Sequence, residues 1–528
     1  MPYQHGVRVL EQPTGVVAPI TGTAGLQVVI GTAPINLAED PAHATNVPIL
    51  CNTFAEAVAA LGYSEDFEKY TLCQAMYASF KLFAVAPVVF INVLNPNDVN
   101  HVVAVPATSC AVSSLQAILE ETGVLKSSVK VTHVTYAKTT DVTIDATKTY
   151  YTKSGDTYTP VAEPDVSDIG SYYEASDTEL EPGTDYTLSF SDDGFLVITT
   201  LSTGAAAADT VVKVSGSKLN PTAVTKANII GTYNGSTGAE TGLEVIRQVY
   251  PKFGMPPGLL LAPGWSQDAD VAAVLAAKCE EINGYFSCEC LIDIDSGSSG
   301  AKLYTNVKAK KDAMGLSSPH ALALWPCVKC GSKVLAFSAV MAALTARTDA
   351  MNDDVPNLSP SNKALGISGT CLADGTEVTL DQVQANVLNG GGIATAINVN
   401  GWRSWGNNSA AYPAVTDPKD RWWACRRFFS WWGNSFIQTY AQRVDDPANY
   451  RLIESIVDSE NIRGQSYVPD KCAGIRIEYL ESENTVTDLL DGKVRFHQYL
   501  APYTPAEDIL NVLEFDADAL TEALTGGE

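Results

Sequence analysis

Strand and helix patterns alternate between residues 258 and 347, and this limits most how the 528-residue chain can fold. Three apolar runs predict buried strands, and three amphipathic stretches predict the helices that follow them. In chain order these are Gly258–Ala262, Asp268–Ile282, Tyr285–Ile294, Ala301–Met314, His320–Trp325 and Lys333–Arg347. Helical crossovers of this length join parallel strands. The sequence therefore predicts an α/β core on a largely parallel sheet.

The same pattern occurs near the beginning of the chain, where Leu26–Gly31 and Pro87–Leu94 predict buried strands on either side of two short helices. Between residues 129 and 220 the composition changes. This stretch has no arginine, and six lysines stand against fourteen acidic residues, a net charge of −8. Its many Thr and Tyr residues form short strand-like runs separated by turns. We interpret it as an acidic, all-β insertion into the α/β sheet.

Strand-like segments also lie near both ends of the chain, each beside prolines. Val494–Leu500 alternates apolar and polar side chains, and Ile509–Phe515 is rich in apolar residues. Unpaired strands need partners for their main-chain groups, so these segments predict a subunit joined to copies of itself. The predicted arm residues are Val7, Arg8, Val9, Leu10, Ile509, Leu510, Val512, Leu513 and Phe515, and the predicted receiving hairpin contains Val494, Phe496 and Tyr499.

Charge and composition argue against several classes of function. The net charge of −26 disfavours nucleic acid and anionic lipid as partners, since both require a basic surface. The beginning of the chain has neither the basic cluster nor the apolar block of a secretory signal, which predicts a cytoplasmic product. The eleven cysteines are odd in number and scattered, as expected of reduced thiols.

The strongest metal candidate is a set of four cysteines, Cys288, Cys290, Cys327 and Cys330, of which the last two have the spacing of zinc ligands. Free cysteine is also among the most buried residue types, so we favour core thiols and predict no metal or cofactor. The six histidines are dispersed, and no motif of a nucleophilic or phosphate-binding site is present. We therefore predict no enzymatic activity and no catalytic residues.

A third region, from Asp381 onward, contains six of the eight tryptophans. One long helix is predicted at Pro418–Arg443, with proline in its first turn. Residues 400–451 carry seven basic and four acidic side chains, a local reversal of the overall charge. Arg421, Arg426 and Arg427 on this helix are either an acidic partner's contact site or the ion-pair partners of the chain's own carboxylates.

Several segments together resemble the contractile tail sheath proteins of myophages, especially those of temperate phages, and the sheaths of phage-tail-like particles. The segments are YQHGVRVLEQPTG (Tyr3–Gly15), SAVMAALTARTDAMNDDVPNLSPSNKALGISG (Ser338–Gly369), NGWRSWGNNS (Asn400–Ser409) and GKVRFHQYLAPYTPAEDILNVLEF (Gly492–Phe515). They occur in the family's order. Two departures are the absence of a Gly at Ala350–Asp354 and the acidic insertion, which varies across the family.

The resemblance implies a structural subunit that stacks as hexameric rings around a tail tube and contracts when the baseplate triggers it. Its partners would be itself, the tail tube protein, and baseplate and tail terminator proteins, without contact of this subunit with nucleic acid or membrane. It would belong to the virion tail and assemble in the host bacterial cytoplasm. By the same resemblance Arg421, Arg426 and Arg427 become candidate contacts to an acidic tube.

The predicted organisation is a multi-domain α+β chain. It has an N-terminal arm (1–20), an α/β core (21–128 and 221–380), the β insertion (129–220), a C-terminal assembly domain (381–507) and a C-terminal arm (508–528). Two alternatives remain open: a static shell or tube protein with the same arms, and an α/β enzyme with a glycan-binding β insertion.

Overall fold

The computed structural model describes residues 24–155 and 157–526. The N-terminal arm residues Val7, Arg8, Val9 and Leu10 lie outside this range, so their role stays a prediction. The first segment contains β1 (Gln27–Gly31), β2 (Pro48–Cys51), α1 (Phe54–Leu61), α2 (Leu72–Met76) and β3 (Val88–Asn92). Helix α1 begins where the Thr53 side chain accepts a hydrogen bond from the amide of Glu56. A π-helical turn, Tyr77–Leu82, prolongs α2.

Nine consecutive strands follow: β4 (Val102–Ala111), β5 (Gln116–Leu119), β6 (Lys130–Lys138), β7 (Tyr150–Ser154), β8 (Thr157–Pro160), β9 (Tyr173–Glu179), β10 (Tyr186–Phe190), β11 (Leu196–Thr200) and β12 (Val211–Leu219). They form a six-stranded sheet, β4-β12-β6-β9-β7-β8, and a three-stranded sheet, β10-β11-β5. Buried side chains such as Val131, Val214 and Ile198 form a separate core. The strands begin well before residue 129, where the composition changes.

The α/β pattern then resumes. Its elements are α3 (Lys226–Ile230), α4 (Val249–Phe253), β13 (Leu259–Leu261), α5 (Ala269–Glu280), β14 (Glu289–Asp293), α6 (Tyr304–Ala313), β15 (Ala321–Leu324), β16 (Cys327–Cys330), β17 (Lys333–Leu335), α7 (Phe337–Ala350), β18 (Gly369–Cys371), α8 (Gln382–Gly390), β19 (Ile393–Asn398) and β20 (Trp402–Trp405). The predicted helix Lys333–Arg347 begins later than expected, because Lys333–Leu335 pairs with β16 as a strand.

An eight-stranded sheet, ordered β2-β3-β1-β13-β14-β15-β19-β20, organises the main core. Its six central strands are parallel, and β2 and β20 run antiparallel at the two edges. This agrees with the parallel sheet that the alternation predicted. Strands β1, β3, β13, β14 and β15 are buried along their whole length, because helices cover both faces. The chain builds outward from β1 in both directions, with β3 on one side and β13 on the other.

The last part contains α9 (Pro418–Arg421), α10 (Trp423–Tyr440), α11 (Tyr450–Gln465), β21 (Cys472–Glu478), α12 (Val486–Leu490), β22 (His497–Pro502) and α13 (Ala517–Thr525). The single helix predicted at Pro418–Arg443 is wrong: it is divided at Trp422, whose backbone is extended. The preceding loop causes the break, because Ser409 N–H donates to the carbonyl of Arg421 and Trp423 N–H donates to that of Asn407.

Candidate assembly site

A helix and a hairpin form the candidate assembly site near the C-terminus. Strands β21 and β22 pair antiparallel, with Ile477 opposite Gln498 and Arg476 opposite Tyr499. Helix α11 packs against β21, and Ile475 lies directly against Gly464, where an added Cβ would approach the Ile475 side chain to 2.9 Å. This close contact fixes the hairpin on the helix.

One edge of the hairpin is already closed. The side-chain amide of Asn461 on α11 donates to the carbonyl of Ile477 (3.1 Å), and the amide of Ile477 donates back to its oxygen (3.0 Å). These are the two bonds that a neighbouring strand would make at this residue. Asn461 therefore occupies the outer edge of β21.

The other edge, along β22, has no strand beside it in the described chain. Because Ile477 directs both main-chain groups to Asn461, its pair with Gln498 is of the non-hydrogen-bonded kind. The main-chain groups of Gln498, and of Leu500 two residues on, then point away from β21. The hairpin thus presents one open edge.

The predicted receiving residues lie at this edge or just before it. Tyr499 belongs to β22, and the guanidinium of Arg476 lies 3.7 Å from its ring centre. Val494 and Phe496 precede the strand, which begins three residues later than predicted. The reason is Asn484, which accepts from the amide of Arg495 (2.7 Å) and donates to its carbonyl (2.8 Å), in place of a strand partner.

The C-terminal arm extends away from this hairpin. Ile509, Leu510, Val512, Leu513 and Phe515 are 77–87% exposed, although all five are large apolar residues. The strand predicted at Ile509–Phe515 has no partner in the described chain, and helix α13, which was not predicted, follows it. Leu520 and Leu524, one helical turn apart on α13, are exposed as well. An apolar segment of this kind requires a surface that the described chain does not supply.

Arg421 holds the base of the arm. Its guanidinium lies over the rings of both Tyr412 (4.6 Å to the ring centre) and Trp422 (4.0 Å). Nε donates to the Asn408 side chain at 2.9 Å, and Nη2 donates to the carboxylate of Glu507 at 3.0 Å. Arg421 is therefore paired within its own chain.

The other two predicted arginine contacts are paired as well. Arg426 donates to Asp420 at 3.2 Å and is largely buried. Arg427 is only 1% exposed and forms a bidentate ion pair with Asp349. Its guanidinium also donates to the carbonyl of Ala24 (3.2 Å). A fully buried arginine cannot contact a partner surface, so Arg427 is wrong as a tube contact; for Arg421 and Arg426 the contact stays a prediction.

The four cysteines considered as zinc ligands lie in two separate places. Cys288 and Cys290 lie beside Cys279, and Cys327 faces Cys371 across a strand pair. Within the described residues no three His, Cys, Asp or Glu side chains are arranged to hold a metal ion. In the same range, none of the helices has the length and apolarity needed to span a bilayer.

Burial disfavours the thiolate form of several described cysteines. It raises the pKa of Cys425 and Cys371 to about 11 and that of Cys327 to about 12, from an ordinary value of 9.0. We expect the native chain to react slowly with iodoacetamide at pH 8, and the unfolded chain to be alkylated at all eleven cysteines. Mass spectrometry of the labelled protein checks this, and rapid native labelling of Cys425 would contradict it.

Two functional features were not predicted. The Arg427–Asp349 pair joins the segment Ser338–Gly369 to the helix predicted at Pro418–Arg443, and no sequence signal links the two residues. Asn461 is an isolated asparagine within a helix, and only its position beside the hairpin reveals its role as a strand substitute.

The three-dimensional fold is similar to that of solved sheath proteins of contractile systems. The sheath of PVC, an extracellular contractile injection system, matches in its contracted state with a TM-score of 0.53 and 12% identity over 99% of this chain and 100% of that chain. The contracted helical sheath of the anti-feeding prophage matches with a TM-score of 0.53 and 14% identity, over 97% of this chain and 99% of that chain. At such identities the likeness concerns the fold alone, which is that of a contractile sheath subunit.

Two phage proteins are similar to this chain in amino-acid sequence. The tail sheath protein of Burkholderia phage BcepMu is 25% identical over 539 residues, which cover 99% of both chains. The tail sheath protein of Escherichia phage P2 is 25% identical over 300 residues, 54% of this chain and 70% of that protein. No protein-family profile matches the chain. The end-to-end similarity to a phage tail sheath protein confirms the resemblance that the sequence segments indicated.

Proposed function

We propose that this chain is the structural subunit of a contractile phage tail sheath. The observation that carries the proposal is the similarity to a phage tail sheath protein over 99% of both chains. An arm of exposed apolar residues beside a hairpin with one open edge supports it physically. The subunit polymerises into a helix, because contacts between an arm and a different surface do not close on a pair.

Strand donation joins the subunits in this proposal. The segment Ile509–Phe515 of one copy adds to the open edge of β22 in another, where the main-chain groups of Gln498 and Leu500 accept it. The N-terminal arm residues Val7–Leu10 serve the same purpose at a second neighbour. Main-chain bonds of this kind persist while the bodies of the subunits rotate, so the sheath shortens without coming apart.

The finer organisation follows from the same proposal. The chain forms hexameric rings around a tail tube, with the C-terminal region as the inner layer and the acidic β insertion outside. Its other partners are baseplate and tail terminator proteins, and it assembles in the host cytoplasm. It acts by contraction and not by catalysis. Arg421 and Arg426 remain the candidate tube contacts, and charge reversal at Arg426 is expected to weaken binding to an acidic tube.

Negative-stain electron microscopy of the purified chain at high concentration tests the proposal. We expect hollow tubes with a helical repeat, and a short, wide form that corresponds to the contracted state. Tubes of a single form that persist under all conditions would favour a static shell instead. Monodisperse monomers, even at high salt and with a tube protein added, would contradict polymerisation altogether.

The open edge of β22 can be blocked at a single residue. In Gln498→Pro the outward N–H is lost while the bonds to β21 remain, because the Gln498 pair is of the non-hydrogen-bonded kind. We expect this variant to fold but to form no polymers. Gln498→Ala is the matched control, since it also removes the side-chain bond to Glu460 (3.1 Å) but keeps the N–H. Equal polymer yields in the two variants, measured by sedimentation, would argue against strand addition here.

A further inference from the structure

We propose that Arg421 and Glu507 form a positioning pair that fixes the direction in which the C-terminal arm leaves the subunit. This inference rests on the proposed function, because it concerns how the donated strand is aimed at a second copy of the chain. It gives Arg421 a role other than the predicted contact with the tube.

The arginine is arranged before the pair forms. The rings of Tyr412 and Trp422 both contact the guanidinium, and the Asn408 side chain accepts from Nε at 2.9 Å. Most exposed ion pairs contribute little, partly because two long side chains lose freedom to form them. Here the arginine has already lost that freedom, and its planar group presents Nη2 to Glu507 at 3.0 Å.

Glu507 marks the boundary between the body and the arm. Before it, the Tyr503 hydroxyl donates to the carbonyl of Pro469 (3.0 Å), and the thiol of Cys425 donates to the carbonyl of Tyr503 (3.8 Å). After Glu507, the hydrogen bonds of residues 508–526 join atoms of that segment to one another. Within the described chain, Glu507 is thus the last residue before the arm and the last one bonded to the body.

Packing alone does not fix the base of the arm. A cleft of about 520 Å³ separates residues 505–508 from the body, and polar side chains including Asn386, Asn389 and Asn407 line it. Arg421 and Glu507 both line this cleft, and their ion pair links its two sides. Without it, the residues between Tyr503 and the arm would be free to pivot.

Small rotations at this point have large effects at the tip. Eight residues separate Glu507 from Phe515, which corresponds to about 26 Å of extended chain at ~3.3 Å per residue. A pivot of about 20° would move the tip by roughly 9 Å, or nearly two strand spacings. Since strand addition requires a defined register, fixing the base favours productive exchange.

Glu507→Gln tests the pair with little change in shape. We expect the monomer to melt within about 1 °C of the wild-type chain, and the subunit concentration at which polymers form to rise about three- to fivefold. Glu522→Gln is the matched control, because Glu522 is an exposed glutamate that lies beyond both the pair and the donated segment Ile509–Phe515 and should leave the threshold unchanged. Arg421→Lys keeps the charge but loses the planar group, and should also raise the threshold.

Salt provides a readout that a purely structural role would not change. Raising NaCl from about 50 to about 500 mM should raise the wild-type threshold more than that of Glu507→Gln, since only the wild-type chain has the pair to screen. An unchanged threshold in Glu507→Gln, with the wild-type chain polymerising, would overturn the positioning pair alone. Absence of polymers from the wild-type chain would overturn the proposed function itself, and the pair with it.

Discussion

Deletion of residues 508–528 is expected to abolish polymer formation and leave a folded monomer. Residues 508–526 contribute no buried side chain to the described body, and the five large apolar residues of Ile509–Phe515 are 77–87% exposed. Burial of each apolar side chain against a neighbouring subunit contributes about 1.5–3 kcal/mol. Ordering the arm costs about 1–2 kcal/mol per residue, so the five side chains outweigh this cost only when main-chain hydrogen bonds to the acceptor strand also form. Loss of the arm therefore removes the contact entirely.

Sedimentation and electron microscopy measure the polymers, and circular dichroism measures the fold. The control is a chain that ends after Phe515, which lacks α13 but keeps the segment predicted to be donated. We expect it to polymerise, though less strongly, since Leu520 and Leu524 are lost. Polymers from the chain shortened at residue 507 would show that the arm is dispensable and would direct attention to the residues before 24.

The second large effect is expected from Arg427→Ala. This substitution leaves the carboxylate of Asp349 buried without its counter-charge, which costs about 3–5 kcal/mol. The pair joins α10 to the end of α7, so its loss should loosen the C-terminal region from the α/β core. Six of the eight tryptophans lie in the region from Asp381 onward, and their fluorescence during denaturation by urea reports the change.

Two variants separate the buried pair from a general effect of removing charge. Arg426→Ala, on the neighbouring position, breaks the contact with Asp420 and the weaker one with the Phe429 ring, and should cost less than Arg427→Ala because Arg426 and Asp420 are both more exposed than Arg427 and Asp349. Arg427→Met combined with Asp349→Leu removes both charges and should recover most of the stability, because no uncompensated charge remains. If Arg427→Ala and Arg426→Ala denature at the same urea concentration, the buried pair does not hold the two regions together.

The sequence predicted the parallel sheet well because its strands are buried on both faces and read as continuous apolar runs. Val88–Asn92 and Leu259–Leu261 are examples. It failed where backbone contacts between distant segments decide the local structure. The helix break at Trp422 depends on hydrogen bonds to Asn407 and Ser409, which the local periodicity of the sequence does not indicate.

The sequence indicated a strand at the candidate site but not which of its edges is open. Alternation marked the strand around Tyr499, yet could not say which edge is open, because that depends on Asn461 and Asn484. Likewise, three arginines close together left open a partner contact or ion pairs within the chain, and each meets a carboxylate of its own chain. A charge count along the sequence does not distinguish an exposed arginine from one paired in the interior.

The nine-stranded insertion closes on itself where it leaves the core. Its first and last strands pair antiparallel with Val102 opposite Leu219, and the amide of Asn220 donates to the carbonyl of His101 at 2.8 Å. Entry and exit are thus one strand spacing apart, and the insertion has a core of its own. An insertion joined in this way can be exchanged, enlarged or reduced to a short turn while the sheet to which it is attached keeps its geometry, so its sequence can diverge independently of the core.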